Sequence, residues 1–126
     1  MKKIFSERAP KPVGPYSQAI LVNGFLFVSG QLGIDPVKNS LVQSGFKDEA
    51  RQALKNIHEI AKEAGADLKD AVKFEVFLTD ITRFKEFNEI YVDFLGQGVT
   101  PARQVVEVSA LPLDAQIEIS AIFNLK

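Results

Sequence analysis

Few side chains in this sequence have the type and setting for polar chemistry, and the two best placed are Arg103, after Pro101-Ala102, and Glu118, between Ile117 and Ile119. An arginine fork matches a carboxylate through two parallel charge-assisted bonds, each of about 1.5–3 kcal/mol before desolvation is subtracted. Arg103 enters its strand beside a loop mouth, which suits gripping an organic acid; a surface ion pair with Glu107 is the alternative. Glu118 alternates away from its apolar neighbours. It is either a solvated strand-face acid or a partly buried carboxylate, whose pKa would rise toward the range useful for orienting or deprotonating water. His58, the one histidine, lies inside a helical stretch beside Ile57 and reads as structural. Cysteine is absent, which excludes thiol chemistry, disulfides and a Cys/His zinc site within one chain.

These residues need a scaffold, and the periodicities describe one. Asn23-Gly24 is a two-residue hairpin turn, predicting antiparallel strands at 18–22 and 25–29, then a loop over 30–43. Phe46, Ala50, Leu54, Ile57 and Ala61 share one helical face, with Ser44 as expected N-cap and Gly65 as stop. Val72, Phe74, Val76 and Leu78 alternate as a strand. Phe84, Phe87, Tyr91, Phe94 and Leu95 make a second helix ending at Gly96. Strands at 102–108 and 116–123 close the chain, joined by a loop of a length that fits antiparallel neighbours, and residues 2–5 add a short edge strand. The order implies an α+β domain over residues 1–126: a mixed sheet with two helices packed on one face. Strand positions are apolar on both faces in places, so the face without helices is expected to pack against another copy of the chain.

Composition narrows the function. With 126 residues and 46% hydrophobic content the chain folds as one domain without staples. A net charge of −1, from 15 basic and 16 acidic residues, gives no broad positive field to attract phosphate backbones, which argues against nucleic acid as a partner. No charge falls between Lys11 and Asp35, but Pro12, Gly14, Pro15 and Asn23-Gly24 break that stretch into turns and strands, arguing against a membrane span. Glu7 and Arg8 stand where a signal peptide needs its apolar run, so a cytoplasmic location is expected. Phosphate-binding and dinucleotide-binding glycine motifs are missing, as is a nucleophile elbow.

Four groups of residues match a known pattern in order. Gly14-Pro15-Tyr16-Ser17-Gln18, Val28-Ser29-Gly30-Gln31, Thr100 through Val108 including Pro101-Ala102-Arg103, and Leu111-Pro112 before Ile117-Glu118-Ile119 resemble the motifs of the reactive-intermediate deaminase (Rid, YjgF) family, nearly end to end. Asn88 also stands where the family has an asparagine. The resemblance implies a chorismate-mutase-like fold, a homotrimer with small clefts at subunit interfaces, and cofactor-independent hydrolysis of 2-iminobutanoate or 2-iminopropanoate to the 2-keto acid and ammonia. It implies Arg103 and Glu118 as catalytic residues. It further implies substrate contacts from Tyr16, Ser29, Gly30, Asn88, Arg103 and Val105, and no metal. Val105 replaces a cysteine found in many members, so a thiol-based activity does not carry over, whereas a backbone contact does. The family also carries an older attribution as a translation-inhibiting endoribonuclease, and a carboxylate-binding trimer without turnover is a third reading.

Overall fold

The computed structural model describes residues 1–125. Its elements, in chain order, are β1 (Lys2–Ile4), β2 (Ala19–Val22), β3 (Phe25–Leu32), β4 (Ile34–Asp35), β5 (Ser40–Leu41), α1 (Phe46–Glu63), β6 (Ala71–Leu78), α2 (Phe84–Leu95), β7 (Ala102–Glu107) and β8 (Ile117–Asn124). Six strands form one sheet in the order β1-β2-β3-β8-β6-β7, and β4 and β5 pair separately. The sheet is mixed, since β6 and β7 run parallel while its other pairings are antiparallel.

Asn23 and Gly24, at φ 51° and 81°, make the expected hairpin turn between β2 and β3. Three expectations are corrected. The strands at the chain end are not neighbours: β8 inserts between β3 and β6, and β7 pairs with β6 at the sheet edge. The β6–α2–β7 segment is a crossover, and a strand reached through a helix lies parallel to its predecessor. The loop expected from residue 30 begins later, because β3 runs on to Leu32 past a bulge between Val28 and Gln31 and β4 and β5 then form a small hairpin. Finally, α1 is capped by Gly45 without a side-chain bond, while the Ser44 hydroxyl donates to Asp48 Oδ2 at 2.6 Å.

Both helices cover one face of the sheet. Ala50, Ala53, Leu54, Ile57, Ile60 and Ala61 of α1 are fully buried, and Phe87, Ile90 and Tyr91 of α2 complete the layer against Phe74, Val76, Leu78, Ile117, Ile119 and Phe123. Burying each large aliphatic or aromatic side chain contributes roughly 1.5–3 kcal/mol. Phe25 and Phe27 stand on the opposite face, 40% and 46% exposed.

Buried polar side chains lock the strand ends that matter below. Asn56 Nδ2 donates to the carbonyls of Leu32 and Ile34, at 3.1 and 2.9 Å, fastening the end of β3 to α1. Glu49, 4% exposed, accepts from Gln116 N–H at 2.7 Å and Gln116 Nε2 at 3.0 Å, which fixes the entry of β8. Its backbone leaves no room opposite Gly33, where a Cβ would lie 2.3 Å from the Glu49 carbonyl oxygen. No helix among the described residues is long and apolar enough to cross a membrane.

Candidate functional site

The predicted site residues fall into two groups. Tyr16, Ser29, Gly30 and Glu118 line one open hollow of about 660 Å³, walled also by Leu32 and Leu113. The bulge in β3 brings Gly30 over Glu118, so close that a Cβ there would lie 2.8 Å from Glu118 Cδ. The carboxylate occupies the space a side chain would take there, so any larger residue at position 30 has to push it aside. Burial raises the Glu118 pKa above its ordinary value. Ser29 lines the hollow, yet its hydroxyl donates to the Ser17 carbonyl at 2.6 Å, and its N–H to that of Gln18 at 2.9 Å. Its work is to hold the Tyr16 loop against β3. Buried Gln18 secures that loop's other side, accepting from Ser6 N–H at 2.6 Å and donating to the Pro10 carbonyl at 2.9 Å. Tyr16 itself is 49% exposed.

The second group gathers at the edge strand. Arg103 Nη1 donates to Asn88 Oδ1 at 2.7 Å, and its guanidinium carbon lies 5.5 Å from the Phe84 ring centre and 4.9 Å from that of Tyr91. The ion pair with Glu107 does not form: Glu107 Oε1 accepts from Ile81 N–H at 2.9 Å. Among the described residues Arg103 has no carboxylate partner within ion-pair distance. Val105 turns its side chain toward the core beside Val76, which leaves its backbone as its contribution to the surface of the edge strand.

The two groups face opposite ways. Arg103 is paired with Phe74, a buried residue in edge-to-face contact with Tyr91 of α2, so its side chain stands on the helix side. Glu118 is paired with Phe77, three residues further along β6, and therefore on the other side. Two strand spacings, about 10 Å, separate the strands as well. Within one chain these two side chains do not meet.

His58 sits apart from both groups' hydrogen bonds, with Nε2 3.5 Å from Asp67 Oδ1 and its ring edge-on to Phe94. No group of three or more His, Cys, Asp or Glu side chains is arranged to hold a metal ion among the described residues. Sequence reasoning passed over Phe84 and Tyr91, reading them as apolar positions of the second helix. The signal was their spacing around Asn88: residues four before and three after it share its stripe.

The family model described as Endoribonuclease L-PSP matches residues 6–124. The chain belongs to that family. Its Rid-like motifs agree, for structures named as Rid proteins are among its structural neighbours. A RutC family protein of Aquifex aeolicus is 50% identical over 123 residues, covering 97% of this chain and 98% of that one. The 2-iminobutanoate/2-iminopropanoate deaminase of Rattus norvegicus is 49% identical over 121 residues, 96% of this chain and 88% of its own. The crystal structure of E. coli TdcF with bound serine superimposes with a TM-score of 0.96 at 35% identity, covering 100% of both chains. The L-PSP family thus includes proteins named for imine deamination and others named otherwise, and the activity of this member has to be argued from its site.

Proposed function

We propose that this protein is a 2-iminobutanoate/2-iminopropanoate deaminase, a cofactor-independent hydrolase acting at clefts between the subunits of a homotrimer. The observation that carries this reading is a half-buried guanidinium without a carboxylate of its own, on a chain whose desolvated Glu118 lies across the sheet. Each group is one half of a site, and a second copy supplies the other. The exposed phenylalanines on the face without helices favour such packing, and edge strand β7 offers backbone groups of Val105 at its rim. The similar rat protein is named for this reaction, and the similar TdcF was crystallised with serine, which like a 2-imino acid carries nitrogen on the carbon next to its carboxylate.

The chemistry asks little of the protein. Arg103 holds the substrate carboxylate in a fixed plane, Asn88 keeps the guanidinium turned, and Tyr16 and the Gly30 backbone contact the substrate from the neighbouring subunit. The imine carbon is already electrophilic. Glu118 orients a water and takes its proton as the oxygen bonds to that carbon, and returns it to the nitrogen to give the carbinolamine. The carbinolamine hydroxyl then gives up its proton through Glu118 to the nitrogen as C=O forms and the C–N bond breaks, releasing 2-keto acid and ammonia. No bound cofactor enters these steps, and the setting is cytoplasmic removal of reactive imines released by pyridoxal-phosphate enzymes.

The test couples the protein to a threonine dehydratase with semicarbazide as imine trap. Native protein accelerates 2-oxobutanoate release and lowers semicarbazone formation. Arg103→Ala loses at least about a hundredfold in kcat/KM, the equivalent of two charge-assisted bonds at the low end of their range. Equal rates with and without protein would defeat the proposal, and RNA cleavage that survives the substitution would favour the endoribonuclease reading.

A further inference from the structure

Resting on the carboxylate-anchoring role of Arg103, we infer that Phe84 and Tyr91 are positioning residues for the site: a two-ring clamp that fixes the plane in which the arginine meets its ligand. The fork of Arg103 has one bond to a neutral amide and is otherwise held by π faces, 5.5 Å and 4.9 Å from its guanidinium carbon. A flexible arginine on an edge strand samples many rotamers, and bidentate grip on a planar carboxylate works in few of them. Stacking against ring faces restricts the guanidinium without using any of its N–H donors, so they stay free for the ligand.

The clamp is built to stay still. Phe84, Asn88 and Tyr91 come from successive turns of α2, and Tyr91 is itself wedged edge-on to Phe74 at 5.5 Å and against Phe87 at 5.6 Å. Its hydroxyl is buried with no hydrogen-bond partner among the described residues, so the ring, not the oxygen, makes the contacts. Phe84 remains 39% exposed, so one face of its ring is open to solvent beside the Arg103 guanidinium.

The experiment uses the full chain, with 2-oxobutanoate as the carboxylate probe, so that binding is read without turnover. Phe84→Leu and Tyr91→Leu raise Kd for 2-oxobutanoate and KM for the imine about three- to thirtyfold while kcat stays within about twofold, the loss expected for removing one cation–π contact. Tyr91→Phe, which keeps the ring face, restores what Tyr91→Leu loses. NMR of the Arg103 side-chain N–H groups in the free protein reports slow guanidinium rotation in the native chain and faster rotation in Phe84→Leu. Because Phe84 is the more exposed ring, its variant keeps the fold and decides the case if Tyr91→Leu does not fold. A folded Phe84→Leu with native Kd and native guanidinium rotation overturns the clamp, as does a Tyr91→Phe variant as impaired as Tyr91→Leu. If the native protein binds 2-oxobutanoate and holds Arg103 still but hydrolyses no imine, the deaminase reading fails and the clamp stands.

Discussion

The neighbourhoods of Arg103 and Glu118 place a charge at the rim of the same sheet in different ways. On the helix side, the cation rests on aromatic faces and one amide, surroundings that leave its charge uncompensated but its direction restricted. On the other side, the carboxylate lies under a bulged strand that has given up its side chain at Gly30, in surroundings that raise its pKa. The helix side therefore favours geometry and the hollow favours proton transfer. The difference teaches that one sheet sets its candidate anchoring cation and its candidate acid–base carboxylate on opposite faces, so that under the proposed function a second chain has to bring them together.

The largest effect that sharpens this comparison is complementation. Under the proposed trimer, Arg103→Ala and Glu118→Gln assemblies are each expected to be nearly inactive. Randomly mixed trimers carry one intact site in each mixed assembly and recover roughly a quarter of native activity, if each cleft takes one residue from each of two neighbours. Denaturing the two variants together, refolding and assaying checks this; no recovery would place both residues in one chain's site. The second effect is the pH dependence of Glu118. Activity through its carboxylate is lost as pH falls through a pKa above the ordinary carboxylate value of 4.5. Stability runs the other way: between the ordinary and the raised pKa the folded chain binds more protons than the unfolded one, so stability falls as pH rises through that window. Glu118→Gln abolishes the acid limb of the rate profile, and in thermal melts it gains stability at neutral pH relative to native, a gain that shrinks below the window.

A pair of glycines gives the finest contrast. Gly33→Ala meets the Glu49 carbonyl at 2.3 Å, a backbone atom that cannot yield, and melting temperature drops with the attachment of β8. Gly30→Ala meets the end of the Glu118 side chain at 2.8 Å, which can swing aside. That variant stays folded by circular dichroism and loses turnover as its carboxylate is displaced. Equal stability losses in the two would break the distinction between a scaffold glycine and a site glycine.

Much of the scaffold was legible because its signals are local. Asn23-Gly24 fixes a hairpin through backbone torsions, and the apolar stripe from Phe46 to Ala61 specifies a helix whatever surrounds it. The resemblance of short motifs was equally local, so it named Arg103, Glu118 and their companions as candidates from the sequence alone. What was not legible were the relations between distant segments. A loop length between two strands does not reveal whether they pair, and here β8 leaves its chain neighbour to lie between β3 and β6. Ser29 offered a hydroxyl that turned out to hold the Tyr16 loop, because the nearest acceptor belongs to Ser17, twelve residues away.

The amino-acid sequence by itself determined most of the long helices and strands, which residue types can act, and the family to which they belong, since propensity, periodicity and motif spacing are written along the chain. Tertiary structure alone decided on which side of the sheet each functional group stands. That depends on strand order and on the register of β6 with β7 and β8, where a shift of one residue would turn a side chain to the other face.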